Sequence, residues 1–164
     1  MIHPVVTVPD NIVEVLQHYA EYLVQKAAGN EKEVISKTLD QVSIKVYGKV
    51  AEYGFAMFMG ITDQFDLSDP YRKHDFVLPD GRKVDVKSGG EHPNPRYLLI
   101  PGWQMAHVKD VYALCGVDGK TVAMMGWQSG SEVVRNGYKK VFHDPKQAAW
   151  AYDAHNMNPM ATLL

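Results

Sequence analysis

The spacing of apolar residues changes along the chain from a helical period to a strand period. Before residue 60 they recur three or four positions apart, which is typical of amphipathic helices. Asp10, directly after Pro9, is a good N-cap for the first helix, and Gly29-Asn30 is a plausible stop. We therefore predict helices over residues 10–59, with Gly60 ending the last of them.

From residue 74 onward apolar and polar residues alternate in short runs, a pattern typical of strands. Pro79-Asp80-Gly81 separates the first two runs and favours a hairpin turn, in which the Asp80 side chain serves the turn. We predict a strand-rich core over residues 74–128. Its strands are expected at 74–78, 82–87, 97–100, 111–117 and 121–127.

Helical signals return after the strands. Ser129 and Ser131 are candidate caps for a short helical turn through Val134. Asp144-Pro145 has the order of an N-cap and a first helical residue, which predicts a helix over 144–155. The whole chain, residues 1–164, is thus expected to form one α/β (α+β) domain, with a mixed central sheet of about five strands flanked by helices.

The amino-acid composition is that of a soluble globular domain. Hydrophobic residues make up 46% of the 164 residues and charged residues 22%, as in ordinary soluble domains. No apolar run approaches the roughly 18 residues of a membrane helix, and residues 1–9 lack the pattern of a signal peptide. The single cysteine, Cys115, lies in an apolar run and is expected to be a buried thiol in a reducing compartment. We expect a soluble cytoplasmic protein without membrane contact, located in the host cytoplasm if it is phage-encoded.

The formal net charge of −2 argues against a protein that coats DNA irrespective of sequence. A sequence-independent DNA coat is strongly basic, because neutralisation of phosphates drives its affinity. An enzyme that holds its substrate through metal ions and a local basic patch remains compatible with this charge.

Two carboxylates and a lysine are predicted to converge on the hairpin. Side chains alternate along a strand, so Asp85 and Lys87 share one face while Val84 and Val86 share the other. The hairpin brings Asp75 back towards them. Mg²⁺ prefers oxygen ligands, and a neighbouring lysine can position water or stabilise developing charge. The pattern indicates metal-dependent phosphodiester hydrolysis, with both aspartates and the backbone carbonyl of Val86 as candidate ligands.

This arrangement resembles the PD-(D/E)xK, or restriction-endonuclease-like, nuclease superfamily and in particular its small phage members. The resemblance lies in Asp75 and in Asp85-Val86-Lys87 across the hairpin; His74 stands where that family often has proline. The family usually adds an acid from a helix ahead of the first strand, and Glu52 stands in that place. The resemblance implies a Mg²⁺- or Mn²⁺-dependent deoxyribonuclease. Its catalytic residues would be Glu52, Asp75, Asp85 and Lys87. It also implies Glu52 as a metal ligand beside the two aspartates and Val86.

Four further residues are candidate substrate contacts. Arg72 and Lys73 immediately precede the first proposed ligand, Ser88 follows the strand, and Gln104 lies beyond the third strand. RecB-like exonucleases of the superfamily carry a glutamine followed four positions later by tyrosine, whereas here Val108 stands at that position. That departure disfavours this exonuclease subgroup and leaves an endonuclease as the expectation. The expected partner is DNA, with a homodimer if two strands are cut, and with a regulatory or targeting protein.

Other interpretations remain open at this stage. The chain could be a non-catalytic DNA- or protein-binding module that retains the nuclease fold, or a structural domain whose Asp85–Lys87 pair is a surface ion pair of little energetic weight. The binding module predicts that Asp75 and Asp85 do not converge with Glu52, or that no divalent ion binds. The structural domain predicts that Asp85 and Lys87 are splayed into solvent, far from Asp75. The three tryptophans, Trp103, Trp127 and Trp150, are expected in the core or an interface, with stacking on an unpaired base as the alternative.

Overall fold

A computed structural model describes residues 2–28, 35–70, 72–89, 93–141 and 148–164 of the chain. Its helices are α1 (Asp10–Ala28), α2 (Ile35–Met59) and α3 (Gly130–Asn136). Its strands are β1 (Val5–Thr7), β2 (Phe76–Val77), β3 (Lys83–Lys87), β4 (Tyr97–Pro101), β5 (Val111–Asp118), β6 (Thr121–Ser129), β7 (Tyr138–Lys140) and β8 (Ala149–Asp153). Short 3-10 turns lie at Thr62–Gln64, Gly102–His107, Ala154–Asn156 and Met160–Leu163.

The strands form two sheets. The larger has five strands in the order β1-β6-β5-β3-β2, and the smaller has three in the order β4-β8-β7. In the larger sheet β3 and β5 run parallel and the other neighbours run antiparallel. This confirms the predicted mixture of helices with a mixed five-stranded sheet. The restriction-endonuclease-like identity of that core stays a prediction.

Helix α2 covers one face of the larger sheet, against which its apolar residues pack. It contacts β3, β5 and β6, and α1 packs along its other side. Val50, Ala51 and Phe55 are fully buried, and the ring centroids of Phe55 and Phe76 lie 5.7 Å apart. The helix stops where Gly60 adopts a left-handed φ of 70°, as the sequence predicted.

The other face of the larger sheet is covered by the smaller one. Leu98 and Ile100 of β4 and Tyr152 of β8 join Tyr112 and Leu114 of β5 in a second buried cluster. Strand β5 is consequently buried on both faces, which explains its near-continuous apolar sequence. Cys115 lies in this strand with no exposed surface, and burial raises the pKa of its thiol to about 12, so the prediction of a buried thiol is confirmed.

The predicted helix over 144–155 is wrong where the structure describes it. Residues 149–153 form β8, which pairs with β4 and β7, and the 3-10 turn Ala154–Asn156 follows. The alanines of this segment favour a helix in isolation, but pairing on both sides of β8 outweighs that local preference. Asp144-Pro145, the basis of the prediction, lies outside the described residues.

Two further elements differ from the expected order. The strand predicted at 97–100 exists as β4 but belongs to the smaller sheet. The fifth position of the larger sheet is taken instead by β1, where Val5 pairs with Ala123 of β6. The tail, whose sequence carried no signal, places Met160 and Leu163 in the main core.

The predicted helical turn after the strands is confirmed as α3, where the Ser129 hydroxyl caps the helix by accepting the N–H of Glu132. Among the described residues, neither α1 nor α2 combines the length and apolar character that crossing a membrane requires.

Two glycines of α2 provide a matched test of how closely this helix approaches the sheet. A Cβ at Gly54 would lie 2.7 Å from the Cγ2 of Val122, which is fully buried, whereas a Cβ at Gly48 meets nothing within 4 Å. We expect Gly48→Ala to stabilise the fold by about 1 kcal/mol through helix propensity. We expect Gly54→Ala to destabilise it by about 1–3 kcal/mol, because overpacking outweighs that gain.

Chemical denaturation of both variants measures this difference in the free energy of unfolding. Equal stabilisation by the two substitutions would show that α2 and β6 can separate without cost, contrary to the close packing described here.

Candidate active site

The hairpin β2–β3 fixes the position of Asp75. The residue directly precedes β2, and its N–H donates to the carbonyl of Val84 at 2.9 Å. Its carboxylate Oδ2 accepts the N–H of Val86 at 2.7 Å. Backbone and side chain are thus both tied to β3, so the Asp75 carboxylate is held across the hairpin, as the sequence predicted.

Asp85 and Lys87 stand on one face of β3 and pair with each other. The Nζ of Lys87 lies 2.7 Å from the Oδ2 of Asp85, and the two side chains keep only 18% and 14% of their surface exposed. Val84 and Val86 point to the opposite face and are buried in the core. This largely shielded pair does not match the hypothesis of an exposed surface ion pair.

Gln104 reaches the same place from another element. It lies in the 3-10 turn Gly102–His107 after β4, and its Oε1 accepts the Nζ of Lys87 at 2.9 Å. The ammonium group is therefore held between the Asp85 carboxylate and the Gln104 amide. The sequence had suggested Gln104 only as a candidate substrate contact.

Glu52 joins the cluster from α2, where its neighbour Ala51 faces the core. Its side chain is 16% exposed and accepts the Nζ of Lys49 at 2.7 Å. Burial raises the pKa of Glu52, with Lys49 opposing and Asp85 adding to the increase. The electrostatic interaction with Asp85 indicates that the helix brings its acid close to the hairpin.

Asp75 is electrostatically the most strained member of the cluster. Burial raises its pKa well above the ordinary value, and the nearby carboxylates of Glu52 and Asp85 raise it further. The Asp85 carboxyl group lies within hydrogen-bonding reach, while the N–H of Val86 partly offsets the increase. Asp75 directly ahead of β2, Asp85 on β3 and Glu52 on α2 therefore interact electrostatically in largely buried surroundings.

The sequence missed two residues beside this cluster. Lys49 precedes Glu52 by one helical turn; burial alone would lower its pKa, but the charge of Glu52 raises it above the ordinary value. The hydroxyl of Tyr19 on α1 is buried near Lys49 and Glu52, without a hydrogen-bond partner among the described residues. The i, i+3 spacing could have revealed Lys49, whereas Tyr19 was hidden within the apolar stripe of its helix.

The remaining candidates lie around the cluster rather than in it. Arg72 donates to the carbonyl of Gln64 at 3.3 Å, Lys73 is exposed, and Ser88 follows the end of β3. The structure describes no contact between these three side chains and the carboxylates, so their role as substrate contacts stays a prediction.

The tryptophans divide into two groups. Trp127 and Trp150 are partly buried against the two core clusters, as expected. Trp103 is 78% exposed and so lies outside the core, whereas its expected position in an interface stays a prediction. The 3-10 turn that directs Gln104 inward directs this neighbour outward.

The oxygen atoms of the cluster have the chemistry that a hard divalent cation prefers. Asp75 and Asp85 provide carboxylates, and the carbonyl of Val86 faces the Asp75 side of β3, because the N–H and C=O of one strand residue point to the same side. Within the described ranges, no three His, Cys, Asp or Glu side chains already stand in a metal-binding arrangement. Lysines are paired with Glu52 and Asp85 instead.

Crowding of carboxylates predicts that Asp75→Asn stabilises the protein in EDTA. The amide removes one of three neighbouring negative charges, while its oxygen can still accept the N–H of Val86. We expect a rise in Tm of about 2–4 °C, the shift that about 1 kcal/mol produces in a domain of this size. Thermal unfolding followed by circular dichroism checks this.

Asp80→Asn is the matched control, since Asp80 is an exposed carboxylate that pairs with Arg82 at 2.7 Å and caps the hairpin turn. It should leave Tm unchanged or lower it. A lower Tm for Asp75→Asn would mean that this carboxylate stabilises the fold and is not held there at a cost.

Comparison with known proteins gives no family for this chain. No protein-family model, no curated protein and no solved structure matches it. The grounds for a functional assignment are therefore the side chains that α2, the hairpin and the 3-10 turn bring together.

Proposed function

We propose that this protein is a divalent-metal-dependent nuclease that hydrolyses DNA phosphodiester bonds, cutting endonucleolytically. The observation that carries the proposal is the convergence of Glu52, Asp75, Asp85 and Lys87 in one half-buried cluster. Glu52 comes from α2, Asp75 from the position directly ahead of β2, and Asp85 and Lys87 from β3. Their resemblance in order and spacing to the PD-(D/E)xK superfamily is the reason for choosing DNA and a restriction-endonuclease-like core.

Stability alone gives little reason to gather three acids in this volume. A buried carboxylate is costly unless it is paired, and like charges nearby add to that cost. Titratable groups perturbed by burial and by one another are characteristic of functional sites. A phosphodiester substrate and a cation offer the charges that such a cluster is suited to hold.

Asp75, Asp85 and the carbonyl of Val86 would hold Mg²⁺ or Mn²⁺, with Glu52 as a further ligand. When bound, the cation would supply positive charge that polarises a phosphoryl oxygen. The hydrogen bond from the N–H of Val86 keeps the Asp75 carboxylate oriented, which limits the reorganisation that binding requires.

Lys87 provides the fixed positive charge of the site. Its Nζ has three donors, two of which are directed to Asp85 and Gln104 at 2.7 and 2.9 Å. The third has no partner among the described residues, and we propose that it donates to an attacking water or to a phosphoryl oxygen, where it would stabilise charge that develops in the transition state. Gln104 acts through Lys87 as a positioning residue.

A second candidate function is a non-catalytic DNA- or protein-binding module that retains this fold. The observation that favours it is that Lys49 and Lys87 already pair with Glu52 and Asp85 at 2.7 Å each, so that a cation has to compete with two ammonium groups. For the nuclease we propose DNA as a partner, with a homodimer or a targeting protein as further partners, and under either function we propose the cytoplasm as the location.

Cleavage assays with the Lys87→Ala variant test the nuclease directly. Purified protein is incubated with labelled duplex, single-stranded and branched DNA in Mg²⁺, Mn²⁺ or EDTA. We expect metal-dependent cleavage by the wild type and a loss of about 100- to 1000-fold in rate in the variant, the usual effect of removing a donor to the transition state.

Lys120→Ala is the control, because Lys120 is an exposed lysine in the β5–β6 turn that pairs with Asp10. It should cleave like the wild type. No cleavage of any substrate by the wild type, together with no Mn²⁺ binding, would favour the binding module instead.

Mn²⁺ affinity tests the metal site without reference to activity. In Lys49→Met the ammonium that competes for Glu52 is replaced by an apolar side chain of similar length. We expect Mn²⁺ to bind about 5- to 10-fold more tightly, because about 1 kcal/mol of charge repulsion is removed. Isothermal titration calorimetry measures this.

Lys49→Arg, which keeps the charge, should bind Mn²⁺ like the wild type. Equal or weaker binding by the Met variant would show that Glu52 and its lysine do not border the metal site.

A further inference from the structure

An exposed tryptophan directly precedes a residue of the candidate active site. Trp103 is 78% exposed and precedes Gln104, the residue that accepts a hydrogen bond from Lys87. The other two indoles have partners: Trp127 donates to Thr162 at 2.9 Å and Trp150 to the carbonyl of Val133 at 2.7 Å. A large aromatic side chain left in water forgoes substantial burial.

The turn that carries this indole is anchored on both sides of it. The N–H of Gly102 donates to the carbonyl of Ala148 at 3.2 Å, and a Cβ at position 102 would lie 3.2 Å from the same oxygen. Gln104 turns inward to Lys87, and Met105 packs against the second core cluster. Trp103 therefore projects from a fixed backbone, one residue from a side chain that contacts the lysine of the site.

We propose that Trp103 is a stacking platform for an unpaired nucleobase next to the phosphate that is cut. This inference rests on the proposed nuclease function and deepens it, because it names the substrate as DNA with a single-stranded segment at the cleavage point. Bases within a continuous duplex are stacked on each other and offer no free face. The faces of bases in a single strand, a flap or a junction are available to an indole.

The charge of the chain supports stacking as a source of affinity. Its formal net charge of −2 disfavours binding that is driven mainly by the neutralisation of many phosphates. Stacking on an aromatic side chain is tolerant of sequence and requires no basic surface. Its loss on substitution by alanine typically weakens binding by about 5- to 100-fold.

The surroundings of the indole do not favour a protein partner. The other exposed residues of the turn are Gly102, Ala106 and His107, followed by Val108, which is 38% exposed. Two large exposed apolar side chains, Trp103 and Val108, fall short of the contiguous patch of several hundred Å² that marks protein interfaces.

The first experiment measures binding in EDTA, in a Lys87→Ala background. Fluorescence anisotropy compares a labelled oligothymidylate with a blunt duplex. Adding Trp103→Ala should weaken binding of the single strand by about 5- to 100-fold and leave duplex binding unchanged, while Trp103→Phe should retain most of the affinity. Val108→Ala removes another exposed apolar side chain beside the turn and is expected to bind like the parent protein.

The second experiment measures cleavage of a forked duplex and of a blunt duplex with the same sequence. The wild type should prefer the fork, and Trp103→Ala should reduce that preference about tenfold or more, mainly through KM, with Tm unchanged.

The outcomes separate the two proposals. A wild type that cuts neither substrate contradicts the nuclease, and with it this inference. A wild type that cuts both, with binding and fork preference unaltered in Trp103→Ala, overturns the stacking platform alone.

Discussion

The packing of α2 against the larger sheet is the contact on which both the core and the site depend. Phe55 packs against Phe76 of β2. Because Gly54 has no side chain, the helix backbone can lie directly against Val122. The same approach places Glu52 within electrostatic reach of Asp85. A helix displaced outward by the width of a methyl group would leave a void in the core and separate the acids, because close-packed interiors do not adjust smoothly.

The charges of the site are compensated incompletely. Lys49 and Lys87 each neutralise one acid, whereas Asp75 has mainly a backbone N–H as its compensation, and its pKa is raised accordingly. This imbalance is the feature behind the proposed cation site. Under that proposal the crowded carboxylates cost stability while no cation is bound, an exchange between stability and function that is common at active sites.

Much of the site could be predicted from sequence because it depends on local geometry. The alternation of Val84, Asp85, Val86 and Lys87, with a turn ahead of it, is enough to place carboxylate and lysine on one face and to bring Asp75 beside them. What could not be predicted depends on contacts distant in sequence. The segment of β8 favours a helix locally, but its pairing with β4 makes it a strand. The tail packs into the main core, although its composition gives no sign of this. The exposure of Trp103 could not be predicted either. Trp103 and Met105 lie two positions apart in an apolar stretch, and only packing in the folded chain decides that Met105 is the one turned inward.

Side chains of β3 alternate between the core and the candidate site, so the pairing of this strand determines both. Leu78 and Arg82 close the turn, and Gly81 adopts a φ of 87° that side chains rarely accept, so the pairing of β2 with β3 is fixed at its start. A slip of β3 by one residue in its pairing would move Asp85 and Lys87 into the core and the valines to the face of the candidate site. A chain that lost this charged face by such a slip would lose its interior in the same event, so selection for folding alone also keeps the two charged side chains in place.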